Sequence, residues 1–178
     1  VEDGGAFLVR GATKTPFALV TGDALLGANS VTVYGSTSVA GWQVGDVVLI
    51  GKTEDIFSYT NEVSTIAAIS GGPNYVITLE GSLANDHFVV APFPIANLTR
   101  NVVIRSSSSD FTEFSYVRNL TQNATNFSVV NAEFIQLGQD LPGRYGITFD
   151  GAGVRGSISS STIRDSAYGV YLQQSASA

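Results

Sequence analysis

The sequence predicts an all-β chain whose last third is a solenoid. Apolar runs of four to six residues, such as Val47–Ile50 and 75–79, are rich in Val and Ile and bounded by Gly, Pro, Asn or Asp. Nowhere do apolar residues recur with a 3.6-residue period. The last third repeats itself at intervals of twenty to thirty residues, as stacked coils do.

Taken in order, residues 5–10 and 17–20 read as short strands and 23–29 as a loop. Ser30–Tyr34 alternates with period two. Gly45-Asp46 is a turn feeding the buried strand Val47–Ile50. A strand follows over 61–66, then a Gly-Gly-Pro-Asn turn at 71–74 and a strand at 75–79. The segment 88–94 contains Pro92 and Pro94 and reads as an extended linker, because each proline removes a donor and disfavours helix before it. Residues 102–104 form a strand and 106–110 a polar loop; strands with a decorated loop are expected over 111–126. The repeat then aligns Val129 with Ile158 and Phe134 with Ile163 at a shift of 29, and Ile147 with Val170 and Phe149 with Leu172 at a shift of 23. Two shifts that differ by a loop insertion predict parallel stacking of 146–149 on 169–172, with Tyr145 over Tyr168 on the rim.

Composition bounds the function. A chain of 178 residues buries one real core. Charged residues make up 13%, the net charge is −6 and the pI is about 4.5, so phosphate backbones are repelled and nucleic acid is not an expected partner. There is no cysteine, which excludes disulfides and thiolate metal sites. No run of about 18 apolar residues exists, so no membrane-inserted helix is expected. The sequence starts at Val1 without Met or a basic leader and reads as a mature form or an excised fragment.

The order Trp42-x-x-Gly45-Asp46, apolar strand, Glu62-containing strand, turn, strand, and Leu83 followed by Asp86-His87 resembles the extracellular domain named for its eight conserved glycines. That domain occurs in fibrocystin-like proteins and in the cell-migration-inducing, hyaluronan-degrading proteins. Gly4 to Gly11 is similar to its lead-in, and 98–104 to its exit into a right-handed parallel β-helix; Leu141-Pro-Gly143-Arg144-Tyr145 resembles a turn of that helix. The resemblance implies a β-sandwich- or roll-like domain over 1–96 continuing into parallel β-helix coils over 97–178, and a secreted or cell-surface location. It marks Trp42, Gly45, Asp46, His87, Arg144 and Tyr145 as structural motif residues.

Gly151-Ala-Gly153-Val-Arg-Gly156 matches a dinucleotide fingerprint, but the β-branched, Ser-rich 157–163 follows where a helix is required, so it reads as a solenoid turn. His87 is the only histidine and lacks partners for a zinc site, so a structural, hydrogen-bonded role is expected. Neither calcium-loop nor β-roll spacing occurs, and no cofactor or metal is expected. Parallel β-helices often act on polysaccharides, and glycoside hydrolysis uses paired carboxylates. Asp150 and Glu133 are the weak catalytic candidates, with Asp140 and Asp165 in the same region. The hyaluronan-related proteins resemble Tyr-Pro-x-His-Phe-His where this chain reads Tyr145-Gly-Ile-Thr148-Phe-Asp150. Both histidines are replaced, so no hyaluronan or pectin cleavage is expected.

Sequons at Asn97, Asn119, Asn123 and Asn126 suggest a glycan-coated face, against the plainer reading of a polar Asn/Thr loop. Two functions remain open: an extracellular structural or adhesive solenoid segment, and a carbohydrate-binding or polysaccharide-degrading β-helix. The sequence ends at Ala178, soon after the coil strand at 168–172, with no cap behind it. The expectation is a longer rod or a filament of head-to-tail copies, the partner being this chain itself or further chain of a parent protein.

Overall fold

The computed structural model describes residues 1, 4–35, 39–53 and 60–174. The final residues on which the uncapped-end expectation also rests, 175–178, lie outside that set. The chain forms two compact units, one of Thr13–Thr99 and one of Val1–Ala12 with Arg100–Ala178. The described residues contain fifteen strands and one short 3-10 turn, Phe111–Glu113, and no helix long and apolar enough to cross a membrane.

In chain order the strands are β1 (Phe7–Arg10), β2 (Phe17–Val20), β3 (Ser30–Tyr34), β4 (Val47–Ile50), β5 (Glu62–Gly71), β6 (Asn74–Leu79) and β7 (Phe93–Asn97). Then come β8 (Val102–Arg105), β9 (Val117–Asn119), β10 (Phe127–Val130), β11 (Ala132–Ile135), β12 (Ile147–Asp150), β13 (Ser157–Ser159), β14 (Thr162–Arg164) and β15 (Val170–Gln173). β1, which the sequence places at the head of the N-terminal part, pairs with β10 in the register Phe7↔Phe127.

The unit Thr13–Thr99 is a closed antiparallel barrel in the order β2-β3-β6-β5-β4-β7, not the sandwich or roll that the sequence suggested. Closure follows from β7, which pairs with β2 on one side and β4 on the other. Short strands with alternating burial, rolled into a barrel, leave no edge to protect. Val20, Val33, Val48, Ile50, Ile66, Ile77 and Ile95 fill the interior and are fully buried. The linker expected over 88–94 is corrected here, because Phe93 and Pro94 open β7. Pro94 is tolerated because it acts as an acceptor: its carbonyl takes the Gly51 amide at 3.0 Å.

The other unit carries three three-stranded parallel sheets: β1-β10-β13, β8-β11-β14 and β9-β12-β15. From β8 onward the chain visits these sheets in rotation, so each sheet gains one strand per circuit. The predicted registers are all found: Val129↔Ile158, Phe134↔Ile163, Ile147↔Val170 and Phe149↔Leu172. Alternation turns Phe127, Val129, Phe134, Ile147 and Phe149 into one apolar core, all fully buried. Asn131, with φ of 55°, makes the one-residue corner between β10 and β11, and Ser160, with φ of 48°, opens the two-residue corner between β13 and β14. Between β1 and β8 the same corner is opened, and the barrel residues are inserted there. The opening is tied by the Ala12 amide, which donates to Asn101 Oδ1 at 2.7 Å.

Two glycines set the coil spacing. Gly146 has φ of 45°, and a Cβ there would lie 1.9 Å from the Tyr168 carbonyl oxygen of the next coil. Gly156, last of the fingerprint-like glycines, leads into β13 and not into a helix. A Cβ on it would press within 3 Å of the Phe127 and Phe149 rings.

Candidate functional site

The outer flank of the sheet β9-β12-β15 collects Asp150, Arg144 and Tyr145 of the residues that the sequence marked. Because Ile147 and Phe149 point inward, Thr148 and Asp150 point outward, and the registers set Thr148 beside Arg118 and Tyr171, and Asp150 beside Gln173. The loop after β11 brings Pro142, Gly143 and Arg144 against this flank. Together with Tyr116 they frame a cleft of about 350 Å³. Arg118 Nε donates to Asp150 Oδ2 at 2.9 Å, and Arg118 Nη2 donates to the same oxygen. The Arg144 guanidinium lies 5.8 Å from the centre of the Tyr116 ring, a cation–π distance. Gln173 Oε1 is buried without a hydrogen-bond partner. Tyr145 packs its ring 4.8 Å from Tyr168 and 4.5 Å from Tyr171, and its carbonyl accepts the Thr148 hydroxyl at 2.7 Å.

Glu133 stands on a different sheet. It points outward from β11 yet is buried, with Oε1 accepting from Arg164 Nε at 2.8 Å and Oε2 from the Arg100 amide at 3.2 Å. A buried carboxylate persists when it is paired and hydrogen-bonded, and both candidates meet that condition through their own arginines. The structure does not bring Asp150 and Glu133 to opposite sides of one bond, as two-carboxylate hydrolysis requires. Asp140 and Asp165 do share a cleft, of about 420 Å³, with Phe111, Phe114 and Tyr168. There Tyr168 donates its hydroxyl to Asp140 Oδ1 at 3.2 Å, and Arg164 Nη1 donates to Asp165 Oδ2 at 2.7 Å. Among the described residues no three of His, Cys, Asp and Glu are grouped as a metal site needs.

In the barrel the motif residues are structural anchors. The Trp42 indole N–H donates to the Thr15 carbonyl at 2.7 Å. Gly45, at φ 89°, turns the chain so that Asp46 faces inward. Asp46 accepts from Lys14 Nζ at 2.7 Å through both oxygens, from the Gln43 amide at 2.9 Å and from Asn97 Nδ2 at 2.7 Å. His87 is fully buried, with Nδ1 3.0 Å from the Gly51 carbonyl and Nε2 3.0 Å from Glu62 Oε1. A carbonyl only accepts, so Nδ1 is placed to donate to Gly51, and Nε2 faces the Glu62 carboxylate. Burial pushes the Glu62 carboxyl upward, but the Ala84 amide, the His87 ring and both Asn85 nitrogens outweigh it and hold the carboxyl below its ordinary range.

Lys14, Glu62, Arg118 and Arg164 complete these clusters; of the four, sequence marked only Glu62, as part of the motif order. Each meets its partner across 25 to 32 residues. No local pattern encodes such a meeting, although the matching registers of neighbouring coils place Arg164 beside the strand of Glu133.

The sequons divide by burial. Asn97 and Asn119 are buried, with Nδ2 donating to Asp46 and to the Arg155 carbonyl respectively. A sugar on either would break that bond and need room inside the fold. Asn126 is half-buried, and Asn123 is exposed with Oδ1 accepting from Thr125. Comparison with models of known families gives no match, and comparison with curated proteins gives none.

Proposed function

We propose that this chain is a structural or adhesive segment of a secreted or cell-surface protein, that its coil region is a right-handed parallel β-helix, and that a further coil stacks on its last one. The observation that carries this reading is a contrast between consecutive coils. Ile147 and Phe149 are fully buried, whereas Val170 and Leu172, their register partners one coil on, are 44% and 51% exposed. Among the described residues β13, β14 and β15 each pair on one side only, so a row of backbone donors and acceptors stands open beside those apolar side chains. A coil added in register covers both. It comes from more of the parent protein or from a second copy, and a head-to-tail contact that does not close gives a rod or filament. Right-handedness is supported by the strong preference for right-handed crossovers between parallel strands. Kinship with the eight-glycine domain is part of the reading, supported by the buried, bonded state of Trp42, Asp46 and His87.

Hydrogen exchange tests the stacking. Amides of β15 should exchange fast at micromolar concentration and become protected near millimolar concentration, and Leu172→Glu should abolish the protection. Equal exchange at both concentrations in both proteins would count against a self-stacking end.

The second reading, a carbohydrate-active surface, is favoured by one observation: the cleft that pairs Asp140 and Asp165 with exposed rings. Its hydrolytic form requires one of the two to act as a proton donor. Both instead accept from a neighbour, Tyr168 in one case and Arg164 in the other.

A further inference from the structure

The cleft between the 3-10 turn and the corner after β14 is built from two kinds of wall. One is aromatic. Phe111 is 60% exposed and Tyr168 41% exposed, while Phe114 is buried at the back. Phe111 is not on a loose loop: the turn that presents it is capped by Asp110, whose Oδ1 accepts from the Thr112 amide at 2.9 Å and the Thr112 hydroxyl at 2.8 Å. The other wall is polar, and its side-chain donors are spent. The Ser166 hydroxyl donates to the Arg164 carbonyl at 3.1 Å, and the Tyr168 hydroxyl donates to Asp140. The Ala167 amide donates to the Leu137 carbonyl at 3.1 Å. Among the described residues, the acceptors left open are Asp140 Oδ2 and Asp165 Oδ1. Arg164, the adjacent cation, is shared between Asp165 and Glu133. The local balance is therefore negative, on a chain whose net charge is already −6. Consistently, the hydrogen bond and the charge of Asp140 hold the Tyr168 phenol above the ordinary tyrosine range.

We propose that this cleft binds a cationic side chain, lysine or arginine, carried by a basic segment of a partner protein. The aliphatic stem of such a residue lies along the Phe111 and Tyr168 rings, and its head reaches the two free carboxylate oxygens. A neutral sugar is the weaker guest, because it presents acceptors as well as donors and the lining side chains have no donor left to meet them. A bare metal ion has no use for the aromatic wall. The volume of about 420 Å³ lies in the range that holds a small ligand, roughly 300–1,000 Å³. Residues 165–168 line the cleft and lie between β14 and β15, but the stacking reading rests on Val170 and Leu172, which are not in the lining, so failure here leaves it standing.

The test is an NMR titration of the isotope-labelled chain with acetyl-Gly-Lys-Gly-amide, with the norleucine analogue and cellohexaose as comparators. The lysine peptide should give saturable shifts at the Ala167 and Tyr168 amides and the Phe111 ring, weakening as salt is raised. Asp140→Asn combined with Asp165→Asn should lower affinity about tenfold or more. Asparagine suits the left-handed corner at Asp165, φ 54°, and the free spectrum of the variant reports its fold. Phe111→Leu, which keeps the charge, should also weaken binding, while Glu80→Gln in the barrel should change it less than twofold. Any of four results overturns the proposal: no saturable shift with the lysine peptide; equal binding of the norleucine peptide; undiminished binding in the double asparagine variant; or perturbation of the cleft by cellohexaose and not by the lysine peptide.

Discussion

Asp46 shows how much one side chain can organise. It is buried, and its two oxygens gather Lys14, Asn97 and the Gln43 amide, so two distant points of the barrel meet its own turn on one carboxylate. Asp46→Ala leaves the largely buried Lys14 ammonium without its carboxylate and removes the acceptor that the Asn97 amide meets. The expected loss is about 3–5 kcal/mol, read as a lower urea midpoint for the barrel, with Asp46→Asn less damaging. Glu62 makes a second residue-scale prediction. Its folded pKa lies below the ordinary value of 4.5, so its contribution is present above about pH 4.5 and is lost as pH falls through the folded value. The stability difference between the native chain and Glu62→Gln should therefore be constant near neutrality and shrink in acid below pH 4.5. A difference that grows in acid would refute the assignment of Glu62 as a bound anion. The buried sequons add a third. In a glycosylating host, peptide mass mapping should find sugar at Asn123 and none at Asn97 or Asn119.

At the scale of elements, coil stacking depends on backbones approaching closely. Gly146→Ala places a methyl group against the Tyr168 carbonyl in a conformation with positive φ. The expected cost is about 3 kcal/mol, near the upper end for overpacking. It should appear as early unfolding of the coil unit while barrel signals keep their midpoint. The elements differ in how far sequence reveals them. The coil strands were legible because stacking repeats its demands: Phe134 over Ile163 and Ile147 over Val170 require like residues at a fixed interval. Barrel closure was not legible, because Pro94 reads as a strand breaker. Only the register with Gly51 reveals that its carbonyl is used and that the facing Gly51 carbonyl, which a proline nitrogen cannot serve, is met by His87 Nδ1. Arg118, which holds Asp150, was hidden for a related reason: its partner sits 32 residues away on the next coil.

Over the described residues, every carboxylate whose burial demands a partner has one. Asp46, Glu62, Glu133 and Asp150 each accept from a cation or amides, which suits a chain whose polar interior serves shape. The binding-type features lie on the surface: the Arg118–Asp150 flank, the aromatic-acidic cleft and the open edges of β13, β14 and β15. The last of these is the feature on which the proposed role turns. A concentration series by sedimentation velocity tests it most directly, comparing the native chain with Leu172→Glu. The native chain should shift from 18.6 kDa monomer toward dimers and longer species as concentration rises, while Leu172→Glu stays monomeric. A native chain that remains an 18.6 kDa monomer at near-millimolar concentration, with β15 amides protected throughout, would contradict it.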